Sequence, residues 1–183
     1  MFEILHFRGS GKILREKNML SDVEATMQYI DDVLTGALYK RELLRMALDE
    51  MDWTVNTESM RIIEGRRYMY KGAKLGIAID GNISAYEYIL EGLVRLQIGY
   101  DKQRIDAGIL LVNAKRSEKS PLGSAADLIK TEIETLYPTI HLPVAVCMID
   151  TGDPILFDEE GNPNGSVSVS KNDNQTTEKT AAG

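Results

Sequence analysis

Residues Leu75 to Ser84 read LGIAIDGNIS, and the fold turns on this stretch. Apolar residues alternate up to Asp80, Gly81-Asn82 follows, and Ser84-Ala-Tyr-Glu87 forms a capping box that starts a helix. A strand with that ending carries a carboxylate out of a sheet and sets it beside a helix start. The helix is expected to run to about Tyr100, with Ile89, Leu93, Val94 and Leu96 on its apolar face.

Upstream, Arg61–Tyr70 and Ala73–Asp80 read as a hairpin turned at Lys71-Gly72. With that turn Glu64 lies opposite about Ile79; a turn one residue longer sets it opposite Asp80. In either register both carboxylates end at one edge of the sheet. Opposed residues have Cβ atoms about 4.5–5.5 Å apart, within reach of a shared Mg²⁺. Two carboxylates held that close need a cation between them. The alternative is that the two point to solvent on opposite faces. Glu87 and Glu91 lie one and two turns into the next helix, from where either could reach back as a ligand; the capping box is the competing role for Glu87.

Further out, Met1–Phe7 reads as a strand. Ser21-Asp-Val-Glu24 is a second capping box, opening a helix to about Leu34 with Gly36 as its C-terminal cap. A helix is expected over Lys40 to Met51, and Trp53 is expected to plug the core. Ala107–Val112 and Leu142–Ile149 are continuous apolar runs, as in strands covered on both faces. A helix between them starts at Ser124 and ends before Pro138. The fold class is therefore α/β (α+β): one mixed sheet flanked by helices. Residues 1–155 make a single domain. Residues 156–183 form a polar tail, low in apolar content and expected to be disordered.

The bulk numbers fit that reading. A chain of 183 residues with 43% hydrophobic and 27% charged residues buries a core without staples. No apolar run approaches the roughly 18 residues of a membrane span, so no membrane partner is expected. The N-terminus lacks a signal-peptide pattern, and the one cysteine, Cys147 in VAVCMI, reads as core filling in a reducing, cytoplasmic setting. Cys and His are too few for a zinc site, and no phosphate-binding glycine loop is present. The net charge of −7 weighs against a nucleic-acid partner, but residues 61–74 hold Arg61, Arg66, Arg67, Lys71 and Lys74 against Glu64 alone. That local +4 suits phosphates; the competing reading is a solvated hairpin face.

LGIAIDGNIS, the helix after it, and IDAGILLVNAK (Ile105–Lys115) together resemble the core of the BamHI-type (BamHI/BglII-like) type II restriction endonucleases of the PD-(D/E)XK superfamily. In that family a Gly-apolar-Glu-apolar-Glu strand precedes Gly-Asn-Ile-Ser. Here Gly76, Ile77, Ala78, Ile79 and Asp80 take those places, then Gly81, Asn82, Ile83 and Ser84. Glu42–Trp53 resembles the helix-and-tryptophan segment before the first catalytic acid, and RIIEG then puts Glu64 at that acid. The resemblance covers roughly residues 40–150 and is most specific at Gly81–Ser84.

The resemblance implies a Mg²⁺-dependent endonuclease, with Mn²⁺ as substitute, acting on double-stranded DNA at a short palindromic site as a homodimer. It implies Glu64 and Asp80 as metal-site acids, to which the helix position of Glu87 adds a further candidate ligand. It implies Asn82 and Ser84 as base-facing residues and Tyr88 near a DNA contact; Arg66, Arg67, Lys71 and Lys74 are candidate phosphate contacts. Ala78 departs from the pattern at a position that normally carries a metal-binding glutamate, and removes one ligand from the catalytic set. Three readings follow: an endonuclease with a broken or compensated site, a catalytically inactive nuclease-like DNA-binding protein, and a protein-interaction module on the same scaffold.

Overall fold

The computed structural model describes residues 2–83, 89–114, 126–157 and 163–164, the last two short stretches (156–157 and 163–164) by backbone alone. Its chain order is β1 (Phe2–Phe7), α1 (Ser10–Glu16), α2 (Leu20–Leu34), α3 (Lys40–Glu50), a 3-10 turn (Glu58–Met60), β2 (Gly72–Lys74), β3 (Ile77–Asn82), α4 (Ile89–Asp101), β4 (Ala107–Asn113), α5 (Ala126–Thr135), β5 (Val144–Ile149), β6 (Leu156–Phe157) and β7 (Pro163–Asn164). The main sheet runs β1-β5-β4-β3-β2. Its three middle strands are parallel and both edges are antiparallel, which is the expected mixed sheet.

The parallel strands are apolar at almost every position because both faces are covered. Ile77, Ile79, Ile109, Leu111 and Cys147 pack under α1, α2 and α3, together with Trp53. Ala78, Leu110, Val112, Val144 and Val146 pack under α4 and α5. Trp53 is buried as expected and its indole Nε1 donates to Thr26 Oγ1 at 3.0 Å. Gln97 of α4 pins the chain entering β5: its Oε1 accepts from the His141 and Leu142 N–H groups at 2.8 and 2.9 Å.

Several local expectations are corrected. The hairpin turns at Leu75-Gly76, not at Lys71-Gly72. Both turn residues have positive φ (49° and 80°), the geometry of a tight two-residue turn, and β2 pairs Gly72 with Ile79 and Lys74 with Ile77. Residues 61–70 are therefore no strand but a loop closed by an Arg61–Met69 bridge and an Ile62 N–H to Tyr68 O bond of 2.9 Å. The α2 helix starts before Ser21, with Met19 as N-cap and no side-chain cap, so the Ser21–Glu24 box is not used. The seven-residue α1 was not foreseen. Gly36 does follow α2 with φ 70°. Inside the stretch expected to be an unstructured tail, Leu156–Phe157 pairs with Pro163–Asn164. The capping box at 84–87 and the helix start at Ser124 lie outside the described residues.

Candidate functional site

Asp80 sits on β3 facing α4, and its side chain is about 1% exposed. A carboxylate that buried requires compensation. Arg95 supplies it from α4: Nε donates to Oδ2 at 2.6 Å and Nη2 to Oδ1 at 3.0 Å. The Gly81 N–H donates to Oδ1 at 2.7 Å. Both carboxylate oxygens are thus engaged. The bond to Asp80 is also the main reason the Arg95 guanidinium is held more basic than usual. Glu91, one turn earlier on α4, accepts from Arg95 Nη1 at 3.4 Å.

Two glycines make this geometry possible. Gly81 has φ +120°, and a Cβ there would lie 2.1 Å from the Leu111 carbonyl oxygen. Gly92 faces it from α4, where a Cβ would lie 3.2 Å from Gly81 Cα. The helix therefore settles close on β3, and Arg95, one turn beyond Gly92, arrives over Asp80.

The residue across the edge from Asp80 is a cation. The β2–β3 ladder continues through a Lys71 N–H to Ile79 O bond of 2.8 Å, which brings Lys71 alongside Asp80. Burial depresses the Lys71 pKa first; Asp80 opposes that shift, while Arg95 and Arg41 add to it. Glu64 was expected in this place. It lies instead, exposed, in the 61–70 loop, because the hairpin turns four residues later than its glycine suggested.

Ala78 shares the Asp80 face of β3 and is fully buried among Leu93, Leu96 and Leu110, flanked by Ala73 and Gly108 on the neighbouring strands. It offers no donor. A divalent cation would need several oxygen ligands. Among the described residues, Asp80 is engaged by Arg95, Ala78 has no ligand atom and Glu64 is elsewhere; no group of three potential ligand residues comes together. These residues do not fit a bound Mg²⁺.

The remaining expected contacts divide. Arg66 and Arg67 are exposed in the 61–70 loop. Lys74 is committed to the interior side: it pairs with Asp22 at 2.9 Å, donates to Met51 O at 3.1 Å and lies over the Trp53 ring. Asn82 ends β3, half-buried. Ser84, Glu87 and Tyr88 lie outside the described residues. Arg95 was not foreseen. Its signal was its spacing from Glu91 on the helix that follows a strand ending in an acid.

No protein-family model and no curated protein matches the chain. Solved structures do. The restriction endonuclease BglII complexed with a DNA 16-mer superposes with a TM-score of 0.59 at 10% identity, over 90% of this chain and 89% of that one. Free BglII gives 0.56 at 12% identity, over 90% and 91%. The chain has a restriction-endonuclease-like fold.

Proposed function

We propose that this chain binds double-stranded DNA on a nuclease fold and holds it without hydrolysis. The observation that carries the reading is the Asp80–Arg95 pair: both oxygens of the acid expected to hold a metal accept from a guanidinium instead. Phosphodiester hydrolysis at neutral pH relies on a hard cation to polarise the phosphate and make hydroxide from water. With Ala78 beside Asp80 the described donor set does not support that step. Binding itself needs cations, and Arg66 and Arg67 are exposed on the loop beside the site. BglII, whose fold the chain resembles, was solved in complex with a DNA 16-mer; in this reading the chain meets duplex DNA at the end of β3 that carries Asn82. A homodimer reading a two-fold site fits this reading. Exposed Ile63, Tyr68, Leu90 and Val94 line an apolar groove of about 460 Å³ between the 61–70 loop and α4, a surface suited to a second copy.

The second reading is the endonuclease itself, cutting a short palindrome with Mg²⁺ or Mn²⁺. The fold of its two structural neighbours favours it, and so does the retained acid on β3. It requires Arg95 to release Asp80.

Incubating the protein with mixed plasmid and phage DNA, with Mg²⁺ and with Mn²⁺, separates the two. Salt-sensitive duplex binding with no product in either metal is expected. Discrete fragments from the unmodified chain would establish the endonuclease reading, and absence of binding would remove both.

A further inference from the structure

A second feature lies on the other side of Lys71. A cleft of about 430 Å³ opens between α3 and the 61–71 segment. Arg41 and Arg45 line one wall from successive turns of α3, and Arg67 and Lys71 line the other. Leu48 and Tyr70 contribute apolar floor, and Glu42 is the one carboxylate in the described lining. Among the described residues none of the four cations has an ion-pair partner. The cleft thus concentrates a local +3 in a chain whose net charge is −7.

That arrangement works against folding. Like charges one turn apart on a helix repel by roughly 0.2–0.5 kcal/mol. Lys71 adds burial, the main cause that lowers its pKa; Asp80 offsets part of that, and Arg95 and Arg41 add to it. Several cations elsewhere do have carboxylate partners: Lys12 pairs with Glu16, Lys17 with Asp106, Arg61 with Glu58. Four cations gathered against one acid on the walls of a concavity focus a positive potential into it.

We infer that this cleft is an anion site for a phosphate-bearing ligand, in which Arg41 and Arg45 engage neighbouring phosphate groups while Arg67 and Lys71 close on them from the loop. Guanidinium forks match phosphate oxygens bidentately, and residues four apart on a helix present their Cβ atoms about 5–6 Å from each other. A tetrahedral phosphate accepts from several forks at once, which suits three converging guanidiniums better than a planar carboxylate does. The phosphates can come from a DNA strand, in which case the site rests on the duplex-binding reading, or from a free nucleotide, in which case it does not. Sequence pointed only to residues 61–74. Arg41 and Arg45 join the site because α3 packs against the start of β2.

The test uses the full chain, an Arg41→Gln/Arg45→Gln double variant and, as control, Lys12→Gln on α1. Calorimetric titration with pyrophosphate and anisotropy of a labelled duplex at several salt concentrations are read for each, with the thermal midpoint confirming the fold. Pyrophosphate is expected to bind the unmodified chain and the control alike, and at least about tenfold more weakly to the double variant. If a strand is the source, the slope of log affinity against log salt for the duplex also falls by about 2. Unchanged duplex binding with lost pyrophosphate binding identifies a free phosphate ligand. Failure of any duplex binding while the pyrophosphate difference persists removes the DNA reading and leaves this site standing. Equal pyrophosphate binding by all three proteins, or binding of a polyglutamate peptide in place of pyrophosphate, overturns the inference.

Discussion

Replacing Arg95 with Met isolates the interaction at the centre of the site. The substitution keeps the aliphatic stem on α4 and removes both donors to Asp80, leaving a carboxylate about 1% exposed with only the Gly81 N–H. Removing one partner of a buried pair costs about 3–5 kcal/mol. Arg95 is 22% exposed, so water partly replaces it, and the expected loss is about 2–4 kcal/mol. Asp80→Asn should cost less, about 1–2 kcal/mol. The amide oxygen still accepts from Gly81, and the freed guanidinium turns to Glu91 and solvent. The double variant should be more stable than Arg95→Met alone, giving a coupling of about 1–3 kcal/mol. Urea denaturation of the four proteins at neutral pH reads this directly. Additive costs with coupling below about 0.5 kcal/mol, or a larger loss in Asp80→Asn than in Arg95→Met, would refute the buried-pair account.

Other consequences follow from the same packing. Ala78→Glu places a carboxylate in an apolar cluster packed by Leu93, Leu96 and Leu110; a loss above about 3 kcal/mol and no gain of cutting are expected in urea melts and plasmid assays. Gly81→Ala should lose about 3–5 kcal/mol, because its Cβ meets the Leu111 backbone at positive φ, whereas Gly65→Ala, open on every side, should lose only about 1–2 kcal/mol. Lys71→Met should raise thermal stability at neutral pH while weakening anion binding. Burial holds the Lys71 pKa below its unfolded value, so the parent's deficit against this variant should shrink as pH climbs toward 10.5; a constant difference would mean the charge is not desolvated.

Much of the fold was legible because the parallel strands are buried on both faces: Ala107–Asn113 and Val144–Ile149 leave no other reading of their apolar runs. The hairpin was harder. Lys71-Gly72 and Leu75-Gly76 both look like turns, and only the second suits the register. There Leu75 tolerates positive φ at the surface, while Gly72 must fit against Leu48 and Trp53, contacts that are distant in sequence. That four-residue shift moved Glu64 away and brought Lys71 in, exchanging an acid for a base beside Asp80. Arg95 and the α3 arginines were hidden for a similar reason. Helical spacing marks which residues share a face, but the strand that face covers is set by tertiary packing.

Titration of the unmodified protein with Mn²⁺, in the calorimeter and by thermal midpoint, tests most directly whether the cation facing Asp80 is Arg95. No saturable site and an unmoved midpoint are expected at millimolar metal, while salt-sensitive duplex binding persists. A saturable Mn²⁺ site that stabilises the fold and disappears in Asp80→Asn would contradict the account and return the carboxylate to a metal.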